Sequence, residues 1–226
     1  MEGPIILSQI PFDIDTDSMR KSLRVKQGSL DERSFKDMAD QARSLGRPCA
    51  VYRESFVEER NDAGATIDGV SFRSRLLGRN LKDVMRVFPY CATCGRELDE
   101  WASDISGLRL RLWADGIMMA ALGCAIAALN EDIERRFRPG RLSYMNPGSL
   151  DDWPLSEQRG LFTLVDGSII GVQLTDTFLM RPLKTTTGIM FPSEEDFQSC
   201  RYCSRDQCPG RRAPYDPDAV ARDLHG

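Results

Sequence analysis

The sequence predicts an α+β fold, and three observations carry that prediction. β-prone and helical stretches do not alternate regularly, one helical region runs from Glu97 to Phe137, and no internal repeat or low-complexity linker divides the chain. With 226 residues, 41% of them hydrophobic, the chain can bury a core without disulfide or metal staples.

A short strand-like stretch, Ile5 to Leu7, follows Met1 Glu2 Gly3 Pro4; with no basic region leading into an apolar one, secretion is not expected. Ser29 to Leu45 carries Phe35, Met38, Ala39 and Ala42 at helical spacing, acidic residues in its first turn, and Gly46 where a C-terminal cap belongs. Strands are expected over residues 50–57 and 66–72, separated by the turn Asn61 Asp62 Ala63 Gly64. A short helix is expected over 76–84 and a third strand over 85–92, ending near Cys91 and Cys94.

The long helical region that follows has Gly107 as its natural break, and small residues from Ala120 to Ala128 let a neighbour approach closely. Its uncharged run, Gly116 to Leu129, falls short of the roughly 20 residues of a membrane span and reads as a buried helix. Residues 138–150 read as an irregular loop, 155–165 as a helix, and 168–174 and 185–191 as strands. Asp216 Pro217 Asp218 suggests a turn before a short C-terminal helix.

The 30 basic and 34 acidic residues leave a formal charge of −4, which disfavours nucleic acid or an anionic membrane as the main partner. The mixed run Glu131 to Arg136 reads as a solvated face, and Met118, Met119, Met180 and Met190 as core filling.

Two segments carry chemistry. The first runs Arg141 Leu142 Ser143 Tyr144 Met145 Asn146 Pro147 Gly148 Ser149 Leu150 Asp151 Asp152 Trp153. A Gly/Pro loop beside an Arg and a Tyr can present backbone groups to a small polar ligand, with the Arg placed for a carboxylate. The plainer reading is an ordered Ω-like connection plugged by Trp153. The second segment is Cys200-x-x-Cys203-x4-Cys208, followed by Arg211 and Arg212. Close thiols near Arg side chains can bind metal, as zinc with Cys94 or Cys91 completing the set or as an iron-sulfur cluster; reduced structural thiols are the alternative. Cys49 and Cys124 read as buried small residues, and Cys91-x-x-Cys94 by itself is a weak signal.

The stretch from Arg141 to Phe191 resembles the S-adenosylmethionine-binding activation domain of cobalamin-dependent methionine synthase, which carries an Arg, Pro-Gly-Tyr, a helix, a strand, a Leu-Thr-Glu-Ser turn and a strand containing Ser-Gly. Here Arg141, Pro147 Gly148 Ser149, the helix over 155–165, Leu174 Thr175 Asp176 Thr177 and Lys184 to Ile189 stand in that order. The resemblance is looser before Arg141, through Thr93 to Leu98.

The resemblance implies a twisted, mainly antiparallel sheet with a long central helix and flanking helices. Residues 1–195 would form the activation-domain-like unit and 196–226 a cysteine-containing extension. It also implies S-adenosylmethionine contacts from Arg141, Tyr144, Asn146, Pro147, Gly148 and Ser149. Ser149 stands where the family has Tyr, leaving Tyr144 as a replacement ring, and Phe197 stands near a later family Tyr pair.

The implied function is cytoplasmic: reductive reactivation or methylation of a corrinoid carried by a partner, with a donor such as flavodoxin or ferredoxin supplying the electron. The chain would be an accessory methyltransferase component with no catalytic side chain of its own. A corrinoid carrier needs Asp-x-His-x-x-Gly; Asp223 Leu224 His225 Gly226 begins that pattern and stops, so the corrinoid comes from a partner protein. Two other readings are an iron-sulfur electron carrier for a corrinoid protein and a non-catalytic adaptor of the same shape.

Overall fold

A computed structural model describes residues 3–194, 197–205, 207–208 and 211–224. His225 and Gly226, the end of the incomplete corrinoid signature, lie outside the described residues.

The chain begins with β1 (Ile5–Leu7), α1 (Thr16–Ser22) and α2 (Leu30–Leu45), the last capped by the Ser29 hydroxyl on the Glu32 N–H. The stretch read as one strand over 50–57 divides at Arg53 and Glu54 into β2 (Cys49–Tyr52) and β3 (Ser55–Asn61). The stretch over 66–72 becomes the hairpin of β4 (Gly64–Ile67) and β5 (Val70–Arg73), because Asp68 and Gly69 both take positive φ and turn the chain. Next come α3 (Arg75–Asn80), shorter than expected, and β6 (Arg86–Thr93).

The long helical region breaks at Gly107 into α4 (Arg96–Ser103) and α5 (Leu108–Phe137). Four residues read as loop are in fact β7 (Leu142–Met145), an edge strand whose ladder partner is a later strand. A 3₁₀ turn at Leu155–Glu157 leads into α6 (Gln158–Leu164). The expected strand over 168–174 is mostly a 3₁₀ turn, Gly167–Ile170, opened by Asp166, whose carboxylate accepts the Ser168 N–H. Only β8 (Gln173–Leu174) remains of it, paired with β9 (Met180–Arg181). The chain closes with β10 (Thr185–Pro192), a 3₁₀ turn at Ser199–Tyr202 and α7 (Pro217–Leu224).

The main sheet has eight strands in the order β1-β2-β6-β3-β4-β5, with β10 on the other edge of β6 and β7 beyond it; every pair is antiparallel. Alternation along β6 divides the core. Phe88, Tyr90 and Ala92 join Phe35 and Ala39 of α2 and the inner face of α5, whereas Val87 and Cys91 join Leu76 and Leu77 of α3 and Leu161 of α6. The sheet is therefore covered by helices on both faces.

Helix α5 has 30 residues and is about 45 Å long. Its length and composition suffice to cross a membrane, contrary to the shorter run read from the sequence. In this fold Trp113, Ile117, Ala121, Ala125 and Leu129, four residues apart, are all buried against the sheet. The charge run at its end is not simply solvated either. Asp132 is buried, accepts the Tyr52 hydroxyl at 2.7 Å and pairs with Arg136 at 2.7 Å, tying α5 to β2. Burial opposes its charge, but these hydrogen bonds outweigh burial and hold the carboxyl below the usual range. Of the methionines read as core, Met118 and Met190 are buried and Met119 is exposed.

Leu129→Ala should cost about 2–5 kcal/mol by removing a fully buried side chain from the α5 seam. Met119→Ala, on the solvent side, should stay within about 0.5 kcal/mol. Urea unfolding midpoints, compared at unchanged slope, check both.

Candidate functional site

Strand β7 delivers the chain to a tight turn. The Ser149 N–H donates to the Asn146 carbonyl at 3.2 Å and the Gly148 N–H to the Trp153 carbonyl at 2.7 Å, with Gly148 at φ 77°. Trp153 is fully buried, edge-on to Phe72 at 5.9 Å. Asp152 accepts the Arg75 and Leu76 N–H groups at 3.1 Å, fixing the turn to the start of α3. Pro147 is buried in this turn, while Gly148 and Ser149 face solvent.

Asn146 is the centre of a polar cluster on the α5 face of the sheet. Its amide nitrogen lies 2.6 Å from the Thr187 carbonyl, 2.7 Å from the Tyr90 hydroxyl and 3.2 Å from the Thr186 hydroxyl. Because Thr187 offers only a carbonyl there, the amide orientation is settled, and Oδ1 has no donor among the described residues. Gly188 makes room: a Cβ there would lie 2.4 Å from the Met145 carbonyl oxygen and 2.5 Å from the Asn146 amide nitrogen. Burial pushes the Tyr90 phenol above its ordinary range, so it stays a neutral hydroxyl.

Beside this cluster the Tyr144 ring carries the Arg212 guanidinium, 4.9 Å from the ring centroid and hydrogen-bonded to the phenol oxygen. The cluster lies open rather than enclosed: Gly148, Ser149 and Arg212 are all exposed. A cavity of about 360 Å³ lies elsewhere, between residues 6–11 and Asp132 and Arg135 of α5.

The structure brings Tyr144, Asn146, Pro147, Gly148 and Ser149 together and leaves Arg141 apart. Arg141 precedes β7 and the turn follows it, so the four strand residues lie between Arg141 and Asn146, a path of roughly 16 Å along the extended chain. Its side chain is exposed, and its carbonyl accepts the Ser193 N–H at 3.0 Å. Phe197 stacks on Tyr202 at 5.6 Å in the core on the other face of the sheet, away from the Asn146 cluster.

The cysteine set does not assemble as expected. Cys94 is buried in the α5-side core, whereas Phe197 and Tyr202 seat the C-terminal segment on the opposite face. Burial pushes the Cys94 thiol up to about 12 and the half-buried Cys49 thiol up to about 11. Cys124 is also only half-buried. Around Cys200 and Cys203 the organising group is Arg211, whose guanidinium donates to the carbonyls of Cys200, Cys203 and Ala213 at 3.1 Å each and to that of Arg205. No group of three or more His, Cys, Asp or Glu among the described residues could hold a metal ion.

A buried carboxylate anchors this segment. Asp223 pairs with Arg79 of α3 and accepts the Tyr202 hydroxyl at 2.7 Å and Arg222 Nε at 2.8 Å. Burial works against its charge, yet the hydrogen bonds from Tyr202 and Arg222 prevail and hold the carboxyl below the usual range. Tyr90, Thr186 and Arg212 escaped the sequence reading. The first two sit in stretches read only as strands, and Arg212 drew attention only as a neighbour of thiols.

A depressed carboxyl contributes stability that is present above its unfolded pKa of about 3.9 and is lost as pH falls through the lower folded value. Hydrogen-exchange protection of residues 217–224, corrected for intrinsic rates, should thus hold from neutral pH to about pH 5 and fall away below about pH 4. Asp223→Asn should lose protection even at neutral pH. Gly188→Ala should force Asn146 from its place and lower the thermal midpoint by several degrees, measurable by circular dichroism.

No family model matches this sequence, and no curated protein matches it. Among solved structures the fold matches the MetH reactivation domain determined with AdoHcy bound, with a TM-score of 0.62 at 12% sequence identity. The match covers 99% of this chain and 89% of the other. With its mainly antiparallel sheet and long helix, this chain has the fold of the methionine synthase activation domain that its sequence resembles.

Proposed function

We propose that this chain binds S-adenosylmethionine on the Tyr144–Ser149 turn and serves the reductive methylation of a corrinoid held by a partner protein. The observation that carries the reading is the fold likeness over 99% of the chain to a reactivation domain solved with AdoHcy, the product that remains when S-adenosylmethionine gives up its methyl group. The residues fit such a ligand. Asn146 keeps an acceptor with no donor among the described residues, and Gly148 and Ser149 leave the turn open.

The methyl group would pass from the sulfonium to the partner's cobalt, removing the product of an uphill one-electron reduction supplied by a flavodoxin or ferredoxin. This chain's own part is to hold the donor in line. An open shelf suits that part, because the methyl group must stay reachable until a corrinoid protein or cobalamin-dependent methyltransferase covers it. Such a partner and donor would place the protein in the cytoplasm.

Calorimetry of the purified chain should give saturable heat with both S-adenosylmethionine and AdoHcy. In an anaerobic assay with cob(II) partner, reductant and methyl-labelled S-adenosylmethionine, labelled methylcobalt should form only when this chain is present. Formation at the same rate without it would overturn the proposal. An iron-sulfur carrier would instead be brown when purified anaerobically, and an adaptor that has lost its ligand would give no heat.

A further inference from the structure

The shelf around Asn146 holds a cation, Arg212, that pairs with no carboxylate among the described residues. Arg211 and Arg212 are adjacent, yet their guanidinium groups do different things. Arg211 spends its donors on four backbone carbonyls of its own segment, while Arg212 uses one nitrogen on the Tyr144 hydroxyl and has no carboxylate partner among the described residues. Its plane is held over the Tyr144 ring, and its backbone N–H is tied to Cys200 Sγ at 3.4 Å. An arginine oriented by an aromatic face, with donors to spare, is arranged for bidentate capture of an anion. On the same shelf Asn146 Oδ1 is an acceptor without a donor.

We propose that Arg212 anchors the carboxylate, and Asn146 Oδ1 the ammonium group, of a zwitterionic amino-acid tail. The proposal rests on the S-adenosylmethionine reading above and deepens it: the site selects the aminocarboxypropyl end of its ligand, and the selecting charge comes from the C-terminal segment. Arg141 is the rival anchor, and it stands a strand's length from the open acceptor. The clip of Asp223 and Arg79 and the carbonyl bonds of Arg211 act as positioning elements, keeping the segment where Arg212 meets Tyr144.

The test uses the full chain with S-adenosylmethionine and with decarboxylated S-adenosylmethionine, which keeps the adenosyl sulfonium and amine but lacks the carboxylate. Arg212→Ala should weaken binding of the first on the order of 10- to 100-fold, and Arg212→Lys should recover only part of it. Wild type and Arg212→Ala should bind the decarboxylated compound with equal, weak affinity. Thermal unfolding confirms that the variants fold. The proposal is overturned if Arg212→Ala binds S-adenosylmethionine like wild type, if it loses both ligands equally, or if Arg141→Ala alone shows the carboxylate-dependent loss. Wild-type protein that binds neither compound would sink the S-adenosylmethionine reading itself.

Discussion

Strand β6 is paired on both edges, with β2 and β3 on one side and β10 on the other, and its side chains feed both cores by strict alternation. A slip of one residue against β10 would send Tyr90 to the α3 side and Cys91 to the α5 side, exchanging the two interiors. The register instead sets Tyr90 directly opposite Gly188. That pairing puts the Tyr90 phenol next to the one position of β10 without a Cβ, and Asn146 enters the space from the end of β7. The site is thus a by-product of the core's own register: the contacts that bury Phe88 and Ala92 also aim Tyr90.

A buried hydroxyl and amide cost free energy unless their hydrogen bonds are made. Here the Asn146 amide nitrogen meets the Tyr90 hydroxyl, the Thr186 hydroxyl and the Thr187 carbonyl, so the polar cluster ties the residue that follows β7 to β6 and β10. For β7, an edge strand of four residues, that link is a substantial part of what holds it. The anchor of the sheet edge and the floor of the proposed ligand site are therefore the same residues, which leaves the ligand a rigid base.

The opposite edge and the C-terminal segment use charge in another way. Asp132 joins α5 to Tyr52 of β2, and Asp223 joins α7 to Arg79 of α3 and Tyr202; each buried carboxylate is met by both a tyrosine hydroxyl and arginines. Such a carboxylate stays ionised because hydrogen bonds to its charged form exceed the penalty of burial. Through the second of these clips the C-terminal segment is fixed at α3, and the bonds of Arg211 carry that order to Arg212.

The sequence by itself determined the elements whose signals are local. Helix α2 shows its Ser29 cap and helical spacing, α4 and α5 their break at Gly107, and β6 and β10 their β-prone runs, and the Pro147-Gly148 turn is marked by its own residues. The order of motifs from Arg141 to Phe191 was likewise enough to expect the fold that the structural likeness bears out. Only the tertiary structure decided that residues 142–145 are a strand, because four residues carry no readable period and their hydrogen bonds come from β10. It alone buried Cys94 in the α5-side core, turned Asp132 inward, and set Arg141 apart from the turn. The contacts that define the candidate site join residues 56 positions apart at Tyr90 and Asn146, and 68 apart at Tyr144 and Arg212. Sequence patterns report the spacing of neighbours on one element, whereas these pairs exist only once sheet register and chain return have brought distant segments within hydrogen-bond reach.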